Sequence, residues 1–282
     1  MALWIPPPSF SRSIARASRD RPFPVVEALF GKVAARELLT ALDLPIPGDF
    51  EALGSIADLR PVHIDRPRVL KPESGSNNRG FVALEPLGSG RWRDVVHDDI
   101  LTFDDVREYL ARALVTHRLT DRWVAEELLR SPRGGIADDV KVLTFRGEIG
   151  ATFIRTNSPK LFRWFDADWA PLESGLVRHT IGHQILPPPN SADFDRLAVE
   201  ISRALPVPFV RVDFLASDRG PVVGELTPFP GWAHDLSPDL DERLGLLYER
   251  AETVLVRAGM DWGSLVDDER LRPFLPTRAV SG

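Results

Sequence analysis

The run VRVDFLASDRGPVVGELTPFPG, residues 210–231, concentrates the residue types best able to do chemistry. Two apolar stretches flank the turn from Ser217 to Gly220, so they are expected to pair as strands and to bring Asp213 and Glu225 together. Two carboxylates converging on one hard cation suit Mg²⁺, which takes one or two protein carboxylates and leaves its other positions to water and phosphate oxygens. Arg211, two residues before Asp213, faces the same way. A cation beside a metal-binding acid suits an anionic transition state. An exposed hairpin with a charged outer face would have a similar composition. Gly224, Pro228, Pro230 and Gly231, however, give the chain an unusual path around the second acid, one suited to a close ligand.

A second constellation is the loop VLKPESGSNNRG, residues 69–80. A lysine at a strand end followed by small, polar and glycine residues can bring backbone N–H groups to phosphate oxygens while the ammonium neutralises charge. A surface hairpin with an incidental lysine would read the same way, so this loop alone does not settle the matter. His179 and His183 stand four apart and on a helix could bind zinc. Gly182 between them and the prolines that follow argue against a helix.

These residues need elements to hold them. The apolar run from Val69 and the run FVALEPL from Phe81 predict two strands around the loop. WVAEELL (123–129), VKVLTFRG (140–147), EIGATFIR (148–155), FVRVDFL and PVVGELT predict further strands. Helical spacing appears in KVAARELLTALDL, stopped by Pro45 and Pro47, and in FDDVREYLARALVTH, with Asp104 and Asp105 at its start. It recurs in SADFDRLAVEISRAL behind a Ser191 cap, and in residues 238–258 before Gly259. Residues 1–30, rich in Pro and Arg, are expected to lie on the surface as an extended arm or short helix. The pattern is an antiparallel sheet architecture with flanking helices, of class α+β.

The chain has 282 residues, 43% hydrophobic and 27% charged, enough for one large domain or two lobes. A net charge of -6 argues against a nucleic-acid partner, which needs a concentrated basic surface. With no cysteine, thiolate nucleophiles, disulfides and Cys-based zinc sites are excluded. The first residues do not have the order of a secretory signal and no run approaches a membrane span. The expected location is the cytoplasm.

Taken in order, the Lys-Pro strand with its Gly/Ser loop, the acidic strand WVAEELL, the D-x-K strand and R-x-D paired with GELTPFPG resemble the ATP-grasp pattern. DDVKVLTFRGEIG, FDADW and VRVDF with GELTPFPG are most similar to the TupA-like branch associated with bacterial polysaccharide and teichuronopeptide biosynthesis. The resemblance covers about residues 30 to 250 and lies in the order of the motifs. It implies two α+β lobes whose antiparallel sheets clamp ATP, with the α/β domain that often precedes them absent or much reduced. The expected division is an arm over 1–30, an N-terminal lobe over 31–122, a C-terminal lobe over 123–260 and a tail over 261–282.

Residue by residue, the resemblance implies that Lys32 and Lys71 contact the nucleotide. Ser74, Gly75, Ser76, Asn77 and Asn78 would form a flap over its phosphates. Glu126, Glu127 and the backbone near Leu129 would hold adenine. Asp139 would lie near the ribose, with Asp138 the neighbouring alternative, and Lys141 would face the phosphates. Asp213, Glu225 and Thr227 would ligate Mg²⁺; the commonest pattern has Asn where this chain has Thr227. Arg211 and Arg155, with Lys71, would act in catalysis. The implied activity is ATP-dependent coupling of an acid to an amine through an acyl phosphate, in polysaccharide or natural-product biosynthesis. A small-molecule kinase on the same scaffold and a nucleotide-binding scaffold protein without turnover are the alternatives. The acid and amine sites would come from residues 156–190 or from a second subunit in a homodimer.

Overall fold

The computed structural model describes residues 7–20, 26–29, 31–74, 79–157, 159–173, 175–176, 179–257 and 269–274. Its N-terminal part is helical: Phe10–Asp20 (α1), Val26–Leu29 (α2) and Lys32–Ala41 (α3). Phe10, Ile14 and Ala17 recur at i, i+4 and i+7, are buried, and join the main hydrophobic core. The expected surface position is therefore corrected. An apolar stripe this regular is covered by a partner, here the C-terminal helix.

The first sheet is built from Glu51–Leu53 (β1), Arg68–Pro72 (β2), Val82–Gly88 (β3), Arg91–Asp94 (β4), Asp99–Thr102 (β5) and Trp123–Glu127 (β6), in the order β1-β6-β2-β3-β4-β5, all antiparallel. Between β5 and β6 runs Phe103–His117 (α4), started by Thr102 and Asp105, which cap each other's backbone N–H. Alternation sorts the faces of the sheet. Leu70, Val82, Leu84, Trp123 and Ala125 pack with Val106 and Leu110 of α4, whereas Val69, Ala83 and Leu128 form a separate cluster. The boundary expected before Trp123 does not match this topology. β6 is an inner strand hydrogen-bonded to both β1 and β2, and cutting before it would split the sheet. Strands β1, β4 and β5 are three or four residues long and hold no apolar run longer than two residues, which hid them among the longer apolar runs.

The second sheet contains Asp138–Phe145 (β7), Glu148–Arg155 (β8), Phe162–Phe165 (β9), Pro171–Leu172 (β10), Val210–Ser217 (β11) and Gly220–Thr227 (β12), in the order β10-β9-β8-β7-β11-β12. A tight turn at Arg146 (φ 51°) and Gly147 (φ 90°) joins β7 to β8. Ser191–Ala204 (α5) packs on one face, with Phe194 edge-on to Phe214 of β11 at 5.3 Å. Ser191 is its first residue and Asn190 occupies the cap position without a side-chain bond. Pro238–Arg257 (α6) lies against α1, β7 and β8. Gly259 falls outside the described residues. Among the described residues no helix is long and apolar enough to cross a membrane.

Candidate active site

The two sheets face each other across a cleft lined by side chains of both. From the first sheet, β2 presents Val69 and Lys71 two residues apart and β6 presents Glu126. Val69 is paired with Glu126, so Lys71 and Glu126 are diagonal neighbours, and the ammonium donates to the carboxylate. From the second sheet, Asp213 of β11 stands opposite Lys141 of β7 on one side and Glu225 of β12 on the other. Beyond Asp213 the β11–β12 register shifts, leaving Gly224 as the extra residue of a bulge. Gly224 and Glu225 line the cleft beside Asp213.

Asp213 is the most constrained group. Arg211 Nε donates to Oδ1 at 2.5 Å and its terminal nitrogen to Oδ2 at 2.6 Å, while Lys141 Nζ donates to Oδ2 at 2.5 Å. Burial works against the Asp213 carboxylate, yet Arg211 and then Lys141 hold it below the usual carboxylate range. Burial likewise opposes the Arg211 charge, and Asp213, Glu225 and Asp139 outweigh it, so the guanidinium is more basic than usual. Glu225 is exposed, whereas Asp213 is buried. Asp139 accepts from Arg155 Nε at 2.9 Å and from its terminal nitrogen at 2.5 Å, and lies 3.4 Å from Lys141. Asp138 lines a separate cavity on the other face of the sheet, so Asp139 is the acid of the pair that belongs to the cleft.

The donor set fits Mg²⁺. Asp213 and Glu225 supply two paired carboxylates, and among the described residues no third acid, His or Cys joins them to complete an all-protein cage. Mg²⁺ binds in this way when phosphate oxygens and water fill the remaining positions.

Residues 96–248 match the family model described as TupA-like ATPgrasp. The chain belongs to the TupA-like ATP-grasp family. D-Alanine–D-alanine ligase from Bacillus anthracis is similar over 82% of this chain and 70% of its own, at 17% identity and a TM-score of 0.51. The same ligase complexed with ATP aligns over 82% and 69%, at 16% identity and 0.49. The ATP-grasp ligase PsnB complexed with minimal precursor aligns over 80% and 61%, at 16% identity and 0.45. No curated protein matches the chain by sequence. The fold is thus the ATP-grasp α+β arrangement of two antiparallel sheets with flanking helices, as the motif order implied.

Within this ATP-grasp frame the other expected residues fall in different places. Lys32 opens α3, donates to the Glu73 carbonyl at 3.2 Å and lines the cleft. Burial makes its ammonium less basic than usual, against the pull of Glu225 and with the push of Lys71. Ser74 is exposed at the end of the described strand–loop, and Gly75, Ser76, Asn77 and Asn78 lie outside the described residues. Glu127 has structural partners: it accepts from Gly48 N–H at 2.8 Å and Arg219 at 2.6 Å, so its carboxylate ties the end of β6 to the β11–β12 turn. The Leu129 carbonyl accepts from Ala137 N–H at 3.1 Å. Thr227 Oγ accepts from Arg211 at 3.0 Å and does not line the cleft. Arg211 itself does not line the cleft and orients Asp213. His183 contacts Arg163 at 2.9 Å, and His179 stacks on Phe162 and accepts from Trp164 at 3.4 Å. Neither is on a helix, which removes the zinc spacing.

Arg79, Asn157 and an apolar strip of Val69, Phe81, Leu128, Ile136, Ala137 and Leu215 also line the cleft. The sequence reading passed over them. A signal for two was present, because Val69 and Leu215 each lie two residues from a chosen side chain, Lys71 and Asp213, and so share its face.

Proposed function

We propose that the protein is an ATP-dependent ligase that activates a carboxylic acid and couples it to an amine. The observation that carries this reading is the pair Asp213 and Glu225, set opposite each other on β11 and β12 in a cleft that Lys32, Lys71, Arg79, Lys141 and Arg155 also line. Two carboxylates among these cations suit a polyanionic nucleotide that brings a divalent cation with it. Asp213 and Glu225 would hold that cation, which when bound supplies Lewis-acid neutralisation of phosphate charge.

The apolar strip would take the adenine, with the backbone near Leu129 as its hydrogen-bonding edge. Lys71 and Lys141 would lie along the phosphates, with Arg79 beside them. Arg155 keeps Asp139 in place and Arg211 keeps Asp213 in place. In the reaction an oxygen of the acid bonds to the γ-phosphorus as the bond to ADP breaks. The amine nitrogen then bonds to the acyl carbon, phosphate leaves, and the amine proton passes to water. Fixed cations around the transferring group stabilise both charged transition states without reorganising. Membership of the TupA-like family supports an amine carried on a polysaccharide or natural product under assembly. We assign the enzyme to the cytoplasm, where ATP is abundant.

Glu225→Gln tests the assignment cleanly because the side chain is exposed and its loss leaves no buried charge unpaired. Acid-dependent ADP release should fall by at least about 100-fold. Wild-type turnover in this variant would sink the metal assignment, and ADP release without consumption of amine would make the enzyme a kinase.

A further inference from the structure

A second cavity opens off the charged end of the cleft and shares Lys32, Lys71, Glu126, Gly224 and Glu225 with it. It does not touch Leu128, Leu129 or Ile136 at the opposite, apolar end. Its inner wall is one face of α3, where Lys32, Ala35, Arg36 and Leu39 fall at i, i+3, i+4 and i+7. Its outer wall is Ile46, Pro47 and Phe50, held against the helix by Arg36, which donates to the Pro47 carbonyl at 2.8 Å and lies 4.5 Å from the Phe50 ring centroid. Val223 of β12 forms its third side.

We propose that this cavity seats the acid substrate and selects a carboxylate bearing a compact apolar group. The proposal rests on the ligase reading above. An acid lying here has its carboxylate at the mouth, beside Lys32 and Lys71, where the transferring phosphoryl group must be if Glu225 holds its cation. Ala35, Leu39 and Phe50 line the cavity beyond that mouth, so a compact apolar substituent would meet apolar side chains. Hydroxyl groups buried against these side chains would lose their water partners without replacement. A polyhydroxylated acid is therefore disfavoured in this cavity.

The test measures ADP release and hydroxamate formation with Mg-ATP and hydroxylamine, using 4-methylpentanoate, 3-phenylpropanoate and glucuronate as acids, on the full-length chain. Saturable turnover with the two apolar acids and little with glucuronate is expected. Ala35→Leu, which fills the cavity, should raise KM for 4-methylpentanoate at least tenfold and leave the Kd of a non-hydrolysable Mg-ATP analogue unchanged. Phe50→Ala, which widens it, should shift preference toward 3-phenylpropanoate and provides the reading if Ala35→Leu does not fold. Turnover of glucuronate as efficient as that of the apolar acids, or a KM indifferent to both substitutions, overturns the cavity assignment and leaves the ligase reading standing. If no acid of any class promotes ADP release while the analogue still binds, the ligase reading falls and takes the cavity with it.

Discussion

Asp213 and Glu225, the proposed cation ligands, sit in opposite environments. Asp213 is buried and compensates two buried cations, Arg211 and Lys141, whereas Glu225 is exposed to the cleft. Asp213→Asn should thus lower stability by about 3–5 kcal/mol, because it strands charge in the interior, while Glu225→Gln should stay within about 0.5 kcal/mol of wild type. Urea denaturation of the two variants separates these outcomes. His179 offers a second single-residue test. Burial, with Lys160 adding to it, lowers its pKa from 6.5 to about 4, and its ring accepts from Trp164 in the neutral form. The unfolded chain takes up a proton below pH 6.5 that the folded ring refuses until about pH 4. The His179 contribution is therefore present above pH 6.5 and is lost as pH falls toward 4. His179→Gln should flatten the decline of the urea midpoint over that interval.

Helix α1 is anchored by α6 through contacts specific to its first turn. Asp241 of α6 accepts from Ser9 Oγ at 2.6 Å and from Ser11 N–H at 2.7 Å. One turn further along α6, Gly245 leaves space for the chain entering α1: a methyl group there would sit 2.5 Å from Ser9 N and 2.8 Å from Pro8 C. The obstacle is backbone and cannot rotate aside. Gly245→Ala should push α1 away and lower stability by about 1–3 kcal/mol, despite alanine's better helix propensity. A drop in the denaturant midpoint at constant slope is the expected result. A stabilised variant would show that α1 is not seated on α6.

Across the molecule the cleft belongs to neither sheet. β6 pairs within the first sheet, and the chain leaving it reaches the second through Leu128, Leu129, Ile136 and Ala137, all of which line the cleft. A nucleotide in the cleft would bring several negative charges to a partly desolvated space where the carboxylates Asp213 and Glu225 already stand. Affinity for a non-hydrolysable ATP analogue should consequently fall at least about tenfold when Mg²⁺ is removed by chelation, as calorimetric titration would register. Equal affinity with and without the cation would place the compensating charge on the protein.

The parts of this site that could be read along the chain are those made by local structure. Asp213 and Glu225 are joined by a two-strand hairpin whose turn is legible locally, but regular alternation from that turn would set Asp213 opposite Gly224, and it is the bulge at Gly224 that brings Glu225 opposite it. Lys71 is marked by the strand end and loop that follow it, and the order of such motifs pointed to the family. The partners of these residues were not legible in the same way. Lys71 meets Glu126 across 55 positions and Lys141 meets Asp213 across 72, and those contacts depend on strand order and register. Arg211 was expected to face the reacting groups, but two-residue spacing specifies a face and says nothing of depth, and packing buried it against Asp213 and Thr227. The stripe of Phe10, Ile14 and Ala17 was likewise present in the sequence, and its meaning came from α6, more than 200 residues away. Alternation and turns are properties of neighbouring residues, whereas burial, ion pairing and the shape of the cleft arise when distant segments exclude water together.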